Sequence, residues 1–279
     1  MIEGPRASRT GYREPMKKET GVKNLILVGC FFLAALLASP SARAQSYAGE
    51  DANIEPTKMI DKPTAGMLKR GSYLINGFFY QEGGVLLGIS VGVFDKFSFG
   101  ISYGGSNIIG QDKIRMNPLP GVNAKLRILD EGVTLPAIAF GFDSQGKEPY
   151  IDSTSRYTVK SPGFYVAGSK NYNFLGNLSF HGGVNVSMET GDGDKDLNFF
   201  VGAEKSVGKD ISLFAEYDFA NNDNNTRAVG KGRGYLNFAF RWSWGKGLVV
   251  GFDLKNVFKN QNNVQIGNRT LQIDFVGTF

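Results

Sequence analysis

Apolar residues recur at every second position along most of this chain. In the stretch from Leu236 to Trp244, Leu236, Phe238, Phe240, Trp242 and Trp244 share one face, and Asn237, Ala239, Arg241 and Ser243 share the other. Val85, Leu87, Ile89, Val91 and Val93 repeat the pattern, as do Leu248, Val250, Phe252 and Leu254. At the end of the chain Leu271, Ile273, Phe275, Gly277 and Phe279 face away from Gln272, Asp274, Val276 and Thr278. A period of two belongs to β-strands with two unlike faces. Twelve such segments are predicted, at 71–80, 84–94, 97–104, 119–129, 134–143, 162–171, 176–188, 196–206, 210–219, 233–244, 247–257 and 269–279. Their lengths suit tilted transmembrane strands, which need about 9 to 11 residues.

The connections alternate in length. Tight turns such as Asp95-Lys96, Asp130-Glu131-Gly132, Tyr172-Asn173, Gly208-Lys209 and Gly245-Lys246 follow the even strands, and longer polar segments such as 144–161 and 221–225 follow most odd ones. The link from Gln81 to Gly84 is the exception, short where a long one is expected. Short turns on one rim and long loops on the other are the arrangement of an outer-membrane barrel. The expected fold is therefore all-β, an antiparallel up-and-down transmembrane β-barrel of about twelve strands over residues 70–279.

Phase separates the lipid face from the lumen. Arg241 turned to lipid would cost roughly 2 to 4 kcal/mol at mid-membrane, so the aromatic face of its strand lies outside. Trp242, Trp244, Phe97, Phe99 and Tyr103, near strand ends, are candidates for interfacial girdles. The same phase turns Lys125, Arg127, Glu204, Glu216, Asp218, Arg241, Asp253 and Lys255 inward. Two readings follow: a polar channel for small solutes, or a cross-strand network of ion pairs that fills and blocks a narrow barrel. Glu216, Arg241 and Asp253 alternate in sign on consecutive strands, which favours the network.

The mean hydropathy of −0.18 has the value of a soluble protein. Alternation explains it, since the two faces of each strand average towards zero. Upstream, residues 1–15 lack the logic of an export signal and are read as the product of an upstream start codon. Residues 16–44 form a signal peptide, with Lys17, Lys18 and Lys23 before an apolar run and Ala42-Arg43-Ala44 as the cleavage site. Cys30, the one cysteine, lies in that run and leaves with the leader unless Leu27 to Cys30 acts as a lipidation box. Residues 45–69, polar and broken by Pro56 and Pro63, read as an extended periplasmic lead-in. Of the 31 Lys and Arg, 7 lie in residues 1–44 together with 3 of the 26 Asp and Glu, so the remainder is close to neutral. That balance excludes nucleic acid as a partner.

Candidate chemistry is sparse. His181, the one histidine, has Ser179 two residues before it on the same face, but side chains so spaced stand about 6.5 to 7 Å apart along a strand. A lumenal histidine is the plainer reading than a nucleophile and its base. Asp192, Asp194 and Asp196 alternate in a loop as in a calcium site, without the glycine and closing glutamate of one. They are read as a solvated turn with weak affinity for a divalent ion at most.

Residues Ile60 to Tyr73, followed by Gly100-Ile101-Ser102-Tyr103-Gly104-Gly105, resemble a family of uncharacterised bacterial outer-membrane barrels. The Pro63-Thr64-Ala65 stretch is also similar to the YjbH-like barrels associated with exopolysaccharide production. An aromatic Phe279, with Phe275 on the same face, resembles the signal read by the barrel-assembly machinery. The expectation is a protein of the outer membrane of a Gram-negative bacterium, structural or transporting small solutes. It is expected to be no enzyme, to use no metal or cofactor, and to meet outer-membrane lipid, lipopolysaccharide and the assembly machinery. The alternatives are a lipid or lipopolysaccharide hydrolase and an accessory barrel for polysaccharide export.

Overall fold

The computed structural model describes residues 55–262 and 268–279. The expected upstream start, the signal peptide and the first part of the lead-in lie outside the described residues. Twelve strands make the wall: β1 (Ser72–Tyr80), β2 (Gly84–Phe94), β3 (Phe97–Ser106), β4 (Gly121–Leu129), β5 (Ala137–Asp143), β6 (Gly163–Asn173), β7 (Asn177–Val186), β8 (Asn198–Val207), β9 (Ile211–Asp218), β10 (Tyr235–Gly245), β11 (Leu248–Lys255) and β12 (Asn268–Thr278). Each pairs antiparallel with its neighbours in sequence, and β1 pairs with β12 from Ser72 opposite Thr278 to Phe79 opposite Leu271. The sheet is thus a closed up-and-down barrel, and closure leaves none of the twelve with a free edge.

The barrel is inside-out relative to a soluble protein. Leu87, Ile101, Phe164, Phe238, Phe252 and Leu254 stand exposed on the outer face, while Lys125, Glu204, Glu216, Arg241 and Asp253 are buried within. Apolar outside and polar inside is the distribution a lipid-facing barrel requires. Trp242 and Trp244 stack at 4.8 Å near the end of β10, where amphipathic rings suit a membrane interface.

The rims differ as the loop lengths foretell. At one, β2 to β3, β6 to β7, β8 to β9 and β10 to β11 are joined tightly, and the three register shifts between wall strands lie there, at Gly92/Phe94, Arg127/Leu129 and Ser243/Gly245. Bulges of this kind sharpen twist where a barrel turns over at its rim. At the other rim the long loop after β5 folds into a two-stranded hairpin, Lys147–Ile151 against Arg156–Val159, and dips into the lumen. The β1 to β2 turn there is short, as the sequence indicates.

Residues 55–69 depart from expectation. The described part of the lead-in is no extended segment outside the barrel. It enters at the short-turn rim, where Leu68 packs on Leu74 and Val276. It runs up the lumen, reverses over Met59 to Lys62, and returns. Met59 N–H donates to Lys62 O at 2.9 Å, and Thr64 N–H to Thr57 O at 3.2 Å. Pro63 sits opposite Lys58 in this hairpin, just after the turn, although it suggested part of an extended lead-in. At Gly66 the two legs come so close that a Cβ would lie 2.1 Å from Pro56 O.

Candidate functional site

The site is the lumen and what occupies it. The hairpin tip carries an apolar pair and a charged pair in succession, and the wall offers a seat for each. Met59 and Ile60 are buried against Tyr165, Ala167, Phe200, Phe214 and Ala239. Burying two such side chains is worth about 1.5 to 3 kcal/mol apiece. Gly202 on β8 makes the room, since a Cβ there would stand 2.3 Å from Met59 Sδ.

Beyond the apolar seat the wall is anionic. Glu216 on β9 accepts the backbone N–H groups of Ile60, Asp61 and Lys62 at 3.0, 2.9 and 2.9 Å, together with the Asn237 amide at 3.0 Å. One carboxylate thus holds the whole turn. Lys62 pairs with Asp218 at 2.7 Å, and Asp61 bridges Lys147 at 3.0 Å and Lys255 at 2.9 Å. Lys255 also meets Glu148 at 2.7 Å, so hairpin, wall and inserted loop share one chain of charges. On the opposite side Lys125 donates to the carbonyls of Thr57, Thr64 and Gly66 at 2.6, 3.0 and 3.1 Å. Arg127 donates to Ala65 O at 2.9 Å and pairs with Glu55.

The inward residues expected from the alternation all lie in the lumen, but they meet different partners from those the alternation suggested. Arg241 does pair with Asp253, at 2.5 Å, with Thr270 completing the aspartate at 2.7 Å and Gln272 the arginine at 3.2 Å. Glu216 does not meet Arg241. Its register partner on β10 is Asn237, and Arg241 stands opposite Ser212. Glu204 is buried on β8. Lys125, Arg127, Glu216, Asp218 and Lys255 serve the hairpin rather than one another. Asp61, Lys62, Lys147 and Glu148 complete the network from segments that carry no strand pattern.

Three further expectations fare differently. Ser179 is buried and donates to Asn171 Oδ1 at 2.6 Å, while His181 Nδ1 lies 2.9 Å from the hydroxyl of Ser169. Ser169 in turn accepts the Ala65 N–H at 2.9 Å. The pair read together in the sequence is therefore not a dyad: His181 is tied to the hairpin through Ser169, and Ser179 to Asn171. Phe275 and Phe279 turn outward and flank Tyr73 at 6.2 and 5.1 Å between ring centroids.

The aspartate loop is the third. Asp192 is buried and engaged by Arg156 at 2.7 Å and Lys160 at 2.8 Å. Asp194 accepts the backbone N–H groups of Asp196 and Asn224 at 3.3 and 3.0 Å, and Asp196 is exposed. Asp192, the first of the three carboxylates, is thus matched by two cations, and this end of the turn is buried rather than solvated as expected. Burial works to raise the Asp192 carboxyl, but hydrogen bonds from Lys160, the Asp194 amide and Arg156 outweigh it and hold it below its usual value.

Arg156 closes the long-loop rim. It comes from the loop after β5, and its fully buried guanidinium also pairs with Asp223 of the loop after β9, at 2.5 Å. Asp223 accepts Tyr235 OH at 2.7 Å. Three loops are latched by one side chain. Replacing Arg156 by Met leaves Asp223 buried without its cation, a loss of about 3 to 5 kcal/mol for a broken buried pair. The expected result is tryptic cleavage in the long loops of R156M under conditions that spare the wild type, in a barrel that still shows heat-modifiable migration. Equal protection of both would show that the latch does not hold the loops.

No protein-family profile matches the chain, and no curated protein sequence does. Among solved structures it is similar to the KdgM porin, with 12% identity and a TM-score of 0.45 over 73% of this chain and 98% of that one. It is similar too to the NanC porin, with 7% identity and a TM-score of 0.42 over 74% and 99%. Outer membrane phospholipase A from Escherichia coli matches with 11% identity and a TM-score of 0.35 over 88% and 96%.

Proposed function

We propose that the protein is an outer-membrane barrel that passes small solutes and is held shut by its own residues 55–69. The observation that carries this reading is the grip of Glu216 on three successive N–H groups of the hairpin turn. A wall designed only to be filled can do so with bulky side chains from its own strands. Here Gly202 clears an apolar seat for Met59, and the rest of the turn is held by polar contacts that water can replace. The short-turn rim, where the hairpin enters, is assigned to the periplasm and the latched loops to the outside, following the usual disposition of turns and loops. The outward Phe275 and Phe279 support recognition by the barrel-assembly machinery, and the apolar belt supports contact with outer-membrane lipid and lipopolysaccharide. The burial of Ser179 and His181, each bonded to a different residue, speaks against a lipid hydrolase that uses them as a pair.

Cross-linking tests the gate. Cysteines in place of Met59 and Gly202, where a Cβ on the glycine would reach Met59 Sδ, would join hairpin to wall when oxidised. Wild-type protein in planar bilayers is expected to open intermittently, oxidised M59C/G202C to stay closed, and reductant to restore the openings. Openings that persist in the oxidised variant, or a wild type closed at every voltage, would overturn the gated-transport reading.

A further inference from the structure

The hairpin does not fill the lumen evenly. Its tip leans on β6 to β11, and beside β1 to β4 a cleft of about 70 Å³ remains. Much of that wall is built small: Gly88, Ser90, Ser98, Gly100 and Ser102 are among the inward residues of β2 and β3, with Leu86 beside them. A Cβ on Gly100 would lie 2.2 Å from Ser90 Oγ and 2.7 Å from Asn123 Nδ2, so the glycine keeps these polar groups uncovered. Their own bonds are long. Ser90 reaches Asn123 at 3.5 Å and Ser102 reaches Gln145 at 3.4 Å, near the limit of what counts as a hydrogen bond. Hydroxyls so loosely held have capacity for another partner.

Cations face this polar wall. Lys58, Lys125 and Lys147 line the cleft, as do the carboxylates of Asp61 and Asp143. Lys125 is committed to three carbonyls, and Lys147 to Asp61. Asp61 is shared with Lys255, and Lys160 at the upper edge belongs to Asp192. Asp143 accepts the Gln145 N–H at 3.0 Å. The Lys58 ammonium, half-buried and facing the cleft, feels the charges of Asp143 and Asp61 but is in hydrogen-bond or ion-pair contact with neither. Three cations against two carboxylates leave one positive charge over, in a place largely screened from water, where an unpaired charge is costly.

We infer that the cleft is a binding site for a small hydroxylated monocarboxylate, its carboxylate on Lys58 and its hydroxyl among Ser90, Ser102 and Asn123. Size sets the upper limit: at about 10 to 15 Å³ per water, the cleft holds roughly five or six non-hydrogen atoms. Charge sets the class. A monoanion neutralises the surplus, while a dianion would overshoot it beside Asp61 and Asp143. The inference deepens the transport reading by naming a solute class, but the binding itself does not depend on the barrel conducting.

Lactate is the probe, with glycerol as the neutral compound of equal atom count and inorganic phosphate as the dianion. Binding is measured by titration calorimetry on the full folded protein in detergent, which needs no current. Lactate is expected to bind with a Kd on the order of 1 mM, glycerol and phosphate far more weakly. Lys58→Gln should weaken lactate about tenfold, and Lys58→Arg should keep most of the affinity. Lactate binding no tighter than glycerol, or unchanged in K58Q with heat-modifiable folding intact, would overturn the site. Phosphate binding as tightly as lactate would overturn the monoanion assignment. A protein that binds lactate through Lys58 yet passes no current would keep this site and sink the transport reading instead.

Discussion

A chain lacking residues 55–67 should insert as an open barrel, with a continuous current in place of intermittent openings. The argument is that the wall does not need the hairpin to close. All twelve strands are paired with one another, and β12 returns to β1 without help from residues 55–67. What the deletion removes is the filling: the apolar tip on Phe200 and Phe214, the turn on Glu216, and the carbonyls around Lys125. The groups left behind are charged, and an open lumen admits water to solvate them. The cost of leaving them unpartnered therefore falls well below that of stranding the same charges in a dry interior. The inserted loop with Lys147 and Glu148 remains, so the current is expected to pass a constriction at the long-loop rim. A deletion variant that folds and stays closed would show that this loop alone blocks the lumen and that the hairpin is not the gate.

The second large effect is expected at Glu216. Replacing it by Ala removes the acceptor of three N–H groups in a tight turn and the partner of Asn237. An unsatisfied buried donor costs about 1 to 3 kcal/mol, and losing one member of a buried charged arrangement about 3 to 5. That is enough to shift a hairpin held by a few such contacts from mostly seated to mostly released. The barrel itself loses no ladder hydrogen bond. Trypsin should then cut after Lys58, which wild-type protein protects, and mean conductance should rise in parallel. Glu216→Gln keeps one acceptor oxygen and should fall between the two. If E216A remains closed and uncut while its barrel is folded, the carboxylate is not the anchor of the turn.

The wall was legible in the sequence because alternation is a local property. All twelve strands fall within a few residues of their expected bounds, and the sense of the pattern, aromatic out and charged in, follows from Arg241 alone. Partnership was not legible, because it depends on register. Arg241 faces Gly251 and Ser212 across its neighbours and reaches Asp253 only diagonally, and no period-two pattern reveals such an offset. The hairpin was hidden for another reason. Residues 55–69 have no period, and two prolines in a polar stretch read as exposed. One signal was present: Glu216 and Asp218 stand on the same face of β9, opposite Gly202, Asn237, Phe200 and Tyr235, with no cation in register. Two buried carboxylates so placed require a counter-charge from elsewhere in the chain, and Lys62 supplies it.

The hairpin ends at Leu68 on the wall, and β1 begins at Ser72. So short a leash makes the plug an intramolecular ligand that is never diluted. Linked in this way, a released tip faces its seat at an effective concentration in the millimolar range, whatever the protein density in the membrane. Reclosing is then a first-order event that needs no partner, and how long the barrel stays shut is set by the contacts that hold the tip, those of Glu216, Asp218, Lys125 and the seat of Met59 among them.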